Sequence, residues 1–313
     1  MAEKIATRDA YGKALAEFGD KYDFVVLDAD LSAATKTGVF KKKFPERFFN
    51  CGIAEGNMMT VAAGLASTGK TVFASSFAMF AAGRAFEQIR NSICYPKLNV
   101  KIGATHAGIT VGEDGATHQC LEDLAIMRSI PNMVVINPAD AVEARGAVEW
   151  AINHKGPVYL RFGRLAVPVI FDAESYEFEP MKGKVIADGS DVTIIATGLM
   201  VDLALTAREN LAAEGISARV VNIHTIKPID REIVLAAARE TGAIVTAEEH
   251  NVIGGLGSAV AEVLCEELPT PMLRVGVEDQ FGHSGKIDPL LKMYGLTPEN
   301  IVAKAKAAIA LKK

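Results

Sequence analysis

Short apolar runs alternate with amphipathic stretches along almost the whole chain. In the first half, six runs have the length and composition of buried strands: residues 24–27, 48–51, 71–74, 100–102, 134–136 and 158–161. Between them, apolar residues at helical spacing predict helices near residues 7–18, 56–67, 79–93, 121–129 and 140–153. Thr7 is the predicted N-cap of the first helix, and Gly69 is predicted to follow the end of the second. This alternation predicts α/β layers with a mainly parallel sheet.

A break in the pattern divides the chain in two. Between residues 164 and 190, four turn-forming residues and an acidic stretch predict a linker or strapping segment: Pro168, Pro180, Gly183, Gly189 and residues 172–179. A second series then predicts strands at 192–196, 219–221, 243–247 and 272–275, and helices near 200–213, 230–240, 256–267 and 297–311. We therefore predict two α/β domains, residues 1–180 with the linker from about 164, and residues 190–313.

Composition and charge narrow the class of protein. The chain has 313 residues, half of them hydrophobic, which is enough for two cores. Its net charge of −5 gives no reason to expect nucleic acid or an anionic membrane as a partner. The four cysteines have no metal-type spacing and predict reduced thiols. Because no signal-peptide core or membrane-length apolar run occurs in the sequence, we expect a soluble cytoplasmic protein.

The segment 103–119 is a polar, glycine-rich run directly after the strand predicted at 100–102. It contains two histidines, two acids and four glycines. Loops at the ends of strands are where α/β proteins usually place their chemistry. His106, Asp114 and His118 are candidate metal ligands or acid–base groups, and their spacing disfavours a metal. Histidine suits proton transfer because its ordinary pKa lies near neutrality.

Glu55 lies where the strand at 48–51 gives way to a helix. An acid in a first helical turn is favoured by the helix dipole alone, which is the structural explanation of this residue. The same junction is also a preferred ligand position in open α/β sheets. Ile53, Met58 and Met59 make its surroundings apolar, which favours a protonated carboxyl that donates a hydrogen bond. Glu55 is therefore a candidate catalytic acid.

Four segments carry a resemblance to known enzymes. Residues 51–58 (Cys-Gly-Ile-Ala-Glu-Gly-Asn-Met), 63–70 and 76–84 resemble the pyrimidine-binding domain of thiamine-diphosphate enzymes. Residues 105–119 (Thr-His-x-x-Ile-x-Val-Gly-Glu-Asp-Gly-x-Thr-His-Gln) resemble the substrate loop of transketolases. The likeness corresponds only to the C-terminal portion of a full-length transketolase. It therefore implies the C-terminal subunit of a split transketolase, which transfers a two-carbon ketol group between a ketose phosphate and an aldose phosphate, as in the pentose phosphate pathway.

The resemblance also implies roles in binding thiamine diphosphate. In the family, an acid at the position of Glu55 hydrogen-bonds a ring nitrogen of the aminopyrimidine and so activates the cofactor, which carries the carbanion chemistry. Phe77 and Phe80 match the aromatic pocket around the aminopyrimidine. Without the resemblance, an aromatic pair at this spacing is more typical of core packing.

The segment 28–36 resembles a family segment, Ala-Asp-Leu-x-x-Ser, whose acid lies on the cofactor side and whose serine touches phosphate. The resemblance therefore places Asp30 in the cofactor site. Ala34 stands where the family has the serine. Either Ser32 or Thr35 compensates, or the phosphate is held differently.

On the substrate side, the resemblance implies three residues that face the sugar: His106, Asp114 and His118. Two arginines, Arg8 and Arg161, match positions that hold the sugar phosphate, and guanidinium groups suit that role geometrically. Arg161 is preferred to Arg164 for the second position.

The partner is also implied by the resemblance. Transketolases bind the diphosphate and its Mg²⁺ through a Gly-Asp-Gly segment, which this sequence lacks. We therefore expect no metal site on this chain, and an N-terminal subunit that supplies the diphosphate and Mg²⁺ ligands in a heterotetramer with two copies of each chain.

Two alternatives are considered. The beta subunit of a 2-oxo acid dehydrogenase shares the acid and both domains, but the loop at 103–119 argues against it. A non-catalytic stabilising subunit is disfavoured because Glu55, His106 and His118 are all present.

Overall fold

The computed structural model describes residues 3–312; Met1, Ala2 and Lys313, the outermost residues of the two predicted domains, lie outside the described part. The strands are β1 (Lys4–Ala6), β2 (Phe24–Asp28), β3 (Phe48–Asn50), β4 (Thr71–Phe77), β5 (Val100–Thr105), β6 (Val134–Ile136), β7 (Val158–Arg161), β8 (Ala166–Pro168), β9 (Lys184–Ala187), β10 (Val192–Ala196), β11 (Ala218–Asn222), β12 (Thr225–Lys227), β13 (Ile244–Asn251) and β14 (Met272–Val277).

The α-helices are α1 (Thr7–Phe18), α2 (Ser32–Thr35), α3 (Gly38–Lys43), α4 (Glu55–Ser67), α5 (Phe86–Gln88), α6 (Asp123–Ser129), α7 (Ala141–Asn153), α8 (Met200–Ala213), α9 (Arg231–Thr241), α10 (Leu256–Glu267), α11 (Ile287–Met293) and α12 (Pro298–Ala310). Two segments wind as π-helix, Met79–Arg84 and Ile89–Cys94, and two as 3₁₀-helix, Pro45–Arg47 and Ile109–Asp114. Within residues 3–312, no helix is long and apolar enough to cross a membrane.

The first sheet has seven strands in the order β12-β6-β7-β5-β4-β2-β3 and is parallel except for β12. Successive residues of β2 pack on opposite faces: Phe24 and Val26 lie in one buried cluster, Val25 and Leu27 in another. Helices cover both faces, which explains why these strands read as continuous apolar runs. All six strands predicted for this half are confirmed.

The second sheet has the order β14-β13-β10-β11-β9, and its four predicted strands are confirmed. They run parallel to their neighbours, while β9 forms an antiparallel edge. The fold class predicted from the sequence, two α/β domains, is therefore confirmed.

The strand β12 ties the two halves together. It follows β11 of the second sheet, yet it pairs with β6 of the first, with Thr225 opposite Ile136. The amide of Asn137 also donates to the carbonyl of His224 at 2.7 Å. β12 reads Thr-Ile-Lys, with one apolar residue, so it forms no apolar run from which a strand could be predicted. The boundary near residue 180 stays a prediction.

Several local predictions are corrected. Thr7 is not an N-cap, because it is the first residue of α1 and its hydroxyl accepts the amide of Gly163 at 2.8 Å. The helix predicted at 79–93 is instead two π-helical segments joined by α5. The segment at 164–190 contains β8, which pairs antiparallel with β1 in a separate two-stranded sheet. Gly69 follows α4 as predicted, with φ +94°.

Candidate functional site

The candidate site lies at the carboxyl edge of the first sheet, where β4 and β5 end side by side. Phe77 is the last residue of β4 and is paired in register with Thr105, the last residue of β5. His106 therefore emerges next to Phe77, and the two rings stack with centroids 3.7 Å apart. Parallel pairing thus brings together the predicted aromatic pocket and the loop at 103–119.

Four of the predicted side chains form one aromatic cluster. The Phe77 and Phe80 rings stack at 5.8 Å with an interplanar angle of 16°. The His118 ring meets Phe80 edge-on at 5.2 Å, and it lies 6.2 Å from Phe77. Because Phe80 and His118 are only half-buried, the cluster has an accessible side. Flat, partly exposed ring faces suit a planar heterocyclic ligand.

Glu55 begins α4 and is 4% exposed. Its two carboxylate oxygens lie 3.3 and 3.4 Å from Nη1 of Arg84. The guanidinium carbon of Arg84 in turn lies 4.2 Å from the centroid of the Phe80 ring. We did not single out Arg84 in the sequence, although it ends the segment at 76–84 that carries part of the resemblance. Glu55 and the aromatic cluster are therefore neighbours, joined by one arginine.

His106 is held as a neutral imidazole. Its Nε2 lies 2.7 Å from Nη1 of Arg8, and a guanidinium only donates, so Nε2 is the acceptor. Nδ1 then carries the proton and donates to the hydroxyl of Thr105 at 2.9 Å. Burial, followed by the charges of Arg8 and Arg164, lowers the pKa of His106 to about 3. This pKa lies far below the ordinary value of histidine, which is the value that suits proton transfer.

An open basic groove adjoins His106. It has a volume of about 630 Å³, and its lining includes three cations, Arg8, Arg164 and Lys286, and two acids, Glu113 and Asp288. Lys286 comes from the second half of the chain and immediately precedes α11. Arg8 also donates to the carbonyl of Ala34 at 3.2 Å, and burial lowers its pKa, with Arg164 as a further, smaller cause. This set of donors suits an anionic ligand.

Arg161 is in a different environment. It is 3% exposed, and its Nε lies 2.8 Å from the buried carboxylate of Asp123. Its Nη2 donates to the same carboxylate at 3.2 Å and to the carbonyl of Glu249 at 2.9 Å. Burial alone would lower the pKa of Arg161, but the Asp123 carboxylate raises it above its usual value. The preference for Arg161 over Arg164 as the anion-binding residue is therefore corrected, because the structure commits Arg161 to a buried ion pair.

In the segment after β2, Ser32 and Thr35 are the two residues that could replace the absent serine. The Thr35 hydroxyl is buried and donates to the carboxylate of Asp28 at 2.7 Å. Ser32 is half-buried at the start of α2, which leaves its hydroxyl as the better candidate. Asp30 is exposed with φ +65°. Its carboxylate accepts a hydrogen bond from the side-chain amide of Asn50 at 2.7 Å.

The loop at 103–119 rests on a glutamate from the second domain. Glu249 of β13 accepts the amide of Thr110 at 2.7 Å, and burial raises its pKa to about 7. Gly108 has φ +82°, and a Cβ there would lie 2.2 Å from the Glu249 carboxyl carbon. The close approach therefore requires glycine. Asp114 ends the 3₁₀ segment of this loop and is exposed. We did not identify Glu249 from the sequence, since its partners are remote along the chain.

The residues fit one half of the expected cofactor. A buried carboxylate beside a partly exposed aromatic face suits an aminopyrimidine, which needs a hydrogen-bond partner and a stacking surface. Among the described residues 3–312, no group of three or more His, Cys, Asp or Glu side chains is arranged to hold a metal ion.

Comparisons with known proteins identify the family. Residues 3–169 match the transketolase pyrimidine-binding domain, and residues 181–301 match the transketolase C-terminal domain. The chain is 56% identical over 300 residues to the "Putative transketolase C-terminal section" of Methanocaldococcus jannaschii, which covers 95% of this chain and 94% of that protein. It is 48% identical to a 6-deoxy-6-sulfo-D-fructose transketolase subunit of Clostridium sp. strain MSTE9, covering 95% and 92%.

A solved structure described as a split gene transketolase, inactive beta4 tetramer, is also similar. Its TM-score is 0.91 at 58% identity, and the match covers 99% of this chain and 100% of that one. The predicted recognition is confirmed by these relatives. The chain belongs to the transketolase family of thiamine-diphosphate enzymes and carries its pyrimidine-binding and C-terminal domains.

Proposed function

We propose that this chain is the C-terminal subunit of a split transketolase that transfers a two-carbon ketol group between a ketose phosphate and an aldose phosphate. One observation carries the proposal. The Phe77–Phe80 stack, which Arg84 joins to Glu55, is continuous through the ring of His106 with a groove lined by Arg8 and Arg164. A cofactor-type site and an anion-type site thus share one edge of one sheet.

Thiamine diphosphate, when bound, supplies the carbon nucleophile and the electron sink. In this proposal the protein's own residues do the rest. Glu55 would form a hydrogen bond with a ring nitrogen of the aminopyrimidine, and Phe77 and Phe80 would hold that ring by stacking. Asp30 lies on the cofactor side. No metal ligand is assigned to this chain, and the diphosphate with its Mg²⁺ is held by residues of an N-terminal subunit.

His106, Asp114 and His118 bind the sugar hydroxyls. Because the pKa of His106 is lowered to about 3, it acts at neutral pH as a fixed donor or acceptor and does not contribute a positive charge. The Nε2 atom that accepts from Arg8 is therefore available, after a small movement of either group, to accept from a substrate hydroxyl. His118, at the accessible side of the cluster, is the better placed of the two histidines for proton transfer.

Arg8 and Arg164 hold the anionic end of the sugar. Ser32, two residues before the Ala34 whose carbonyl accepts from Arg8, replaces the absent serine. Guanidinium groups bind phosphate and sulfonate by the same charge-assisted hydrogen bonds. One relative is named for a sulfo-sugar, so a sulfonated ketose is the second candidate substrate. We favour a sugar phosphate, and expect the enzyme to work in the cytoplasm, in the pentose phosphate pathway, as a heterotetramer with two copies of each chain.

The experiment reconstitutes the enzyme from this chain and a partner that carries the Gly-Asp-Gly segment. Each chain alone and the mixture are incubated with thiamine diphosphate, Mg²⁺, a ketose phosphate and an aldose phosphate. Only the mixture is expected to form the exchanged products, and a mixture containing the Glu55→Gln chain serves as the matched control. Parallel assays with a sulfonated ketose, and with pyruvate plus a lipoyl acceptor, distinguish the alternatives. A better rate with pyruvate would overturn the proposal in favour of a 2-oxo acid dehydrogenase subunit.

A further inference from the structure

Arg84 contacts two groups that the proposed function assigns to the aminopyrimidine. Its Nη1 lies within hydrogen-bonding reach of both oxygens of Glu55, at 3.3 and 3.4 Å. Its guanidinium carbon lies 4.2 Å from the centroid of the Phe80 ring. A guanidinium is planar, donates hydrogen bonds and stacks on aromatic faces. In these respects it resembles the aminopyrimidine.

We propose that Arg84 occupies the place of the aminopyrimidine in the cofactor-free chain and leaves it when thiamine diphosphate binds. The inference rests on the proposed function, because that function assigns Glu55 and Phe80 to the cofactor. It adds a competing occupant of the site that belongs to the chain itself.

The local winding of the chain explains how the contact arises. Met79–Arg84 is π-helical, so that residues four to five apart, rather than three to four, lie over one another. Phe80 and Arg84 are four apart and therefore share one face of the segment. Glu55 begins α4 on the other side of the contact, 29 residues earlier in the chain.

The two sides of the contact differ in burial. The Glu55 side chain is 5% exposed, whereas that of Arg84 is 55% exposed. Arg84 can therefore return to water at little cost, while Glu55 would be left as a buried carboxylate without its partner. A ligand that brings its own hydrogen-bonding group to Glu55 removes this penalty. Arg84 thus pairs with the Glu55 carboxylate until the cofactor takes the place of Arg84.

The contact should weaken apparent cofactor affinity, because it must be broken before the pyrimidine stacks. A partly exposed ion pair and a cation–π contact are each modest. Removing the guanidinium should therefore tighten the dissociation constant for thiamine diphosphate about threefold to tenfold in the two-chain complex.

The test measures that constant by calorimetry, with saturating Mg²⁺, for four complexes: wild type, Arg84→Ala, Arg84→Lys and Arg90→Ala. Arg90 is the matched control, since it is an exposed arginine of the neighbouring π-helical segment and bonds to Asn91. We expect tighter binding for Arg84→Ala, a smaller gain for Arg84→Lys, which keeps the charge but loses the planar group, and no change for Arg90→Ala. Weaker or unchanged binding by Arg84→Ala would overturn the inference.

A second measurement guards against an unstable variant. In a Glu55→Gln background the neutral side chain no longer attracts the guanidinium, so adding Arg84→Ala should change the dissociation constant less than it does in the wild type. An equal change in both backgrounds would also overturn the inference. If the wild-type complex itself binds no thiamine diphosphate, the proposed function fails; if it binds and Arg84→Ala does not tighten binding, only this inference fails.

Discussion

The Nη1 atom of Arg8 lies 2.7 Å from Nε2 of His106, which fixes His106 as a neutral acceptor at the junction between the aromatic cluster and the basic groove. A protonated imidazole would place two cations in contact at a buried position. The contact, together with burial, therefore keeps His106 neutral at physiological pH and orients its ring for a substrate.

The first prediction concerns that ring. His106→Ala should lower the turnover of the two-chain complex by about tenfold to a hundredfold, because it removes a hydrogen bond to the sugar. The affinity for thiamine diphosphate should change less than the turnover, since His106 stacks on Phe77 but makes hydrogen bonds only to Arg8 and Thr105. Steady-state kinetics and calorimetry on the same complex check both parts. Loss of cofactor binding, or turnover equal to that of the wild type, would contradict the assignment.

Substitution of Arg164 should affect substrate binding, whereas substitution of Arg161 should affect the stability of the chain. Arg164→Ala should raise the KM for the sugar phosphate about tenfold or more, with little change in the free energy of unfolding. Arg161→Ala should destabilise the chain by about 3–5 kcal/mol, since it leaves the carboxylate of Asp123 buried and unpaired. KM values and urea unfolding of both variants test the contrast. The reverse pattern would restore Arg161 as the anion-binding residue.

The buried histidines predict a pH dependence of stability. Burial lowers the pKa of His106 to about 3 and that of His224 to about 4. Both values lie below the ordinary value of 6.5, so the unfolded chain takes up these protons first, and stability falls as the pH drops from about 6.5 toward those values. Between pH 7 and pH 5, the free energy of unfolding of His106→Asn should therefore fall by about 1–2 kcal/mol less than that of the wild type.

Urea unfolding at the two pH values measures this difference. His224→Asn is the matched comparison, because its ring lies 4.4 Å from Phe178, outside the candidate site. His224→Asn should make the free energy of unfolding less dependent on pH, without lowering turnover. Equal pH slopes in all three chains would contradict the assignment of neutral, buried histidines.

The close approach of Gly108 to Glu249 predicts a strong effect of a single methyl group. Gly108→Ala adds a Cβ at φ +82°, 2.2 Å from the Glu249 carboxyl carbon. It should destabilise the chain by about 1–3 kcal/mol and lower turnover by displacing the loop. Gly64→Ala is the control, since that glycine lies in α4 with no atom within 4 Å of the added Cβ, and should be neutral or slightly stabilising. Thermal unfolding and turnover of both variants check the pair.

Much of the fold could be predicted because its strands are buried on both faces and each therefore appears as an apolar run. β12 has a single apolar residue, Ile226, and pairs with a strand of the other sheet, so no apolar run predicts it. Thr7 illustrates the same limit, because its hydroxyl serves Gly163, 156 residues away, instead of its own helix.

The candidate site likewise contains residues that the sequence predicts and residues that only the structure identifies. Glu55, Phe77 and His106 follow directly from strand ends and a resemblance, and the structure brings them to one edge. Arg84 and Glu249 could be identified only from the structure, because their contacts are with residues remote in sequence. The choice between Arg161 and Arg164 depended on burial, since two arginines three residues apart carry equal charge in the sequence.

The most direct test of the account is the exchange of the cofactor's thiazolium proton with solvent deuterium in the two-chain complex, followed by rapid quenching and NMR. Glu55→Gln keeps the size of the side chain but changes its proton-donating ability. Exchange should slow by about 10²–10⁴-fold in this variant, with folding and assembly with the partner intact. Exchange and turnover as fast as in the wild type would contradict the role of Glu55 and, with it, the assignment of this edge of the sheet as the cofactor site.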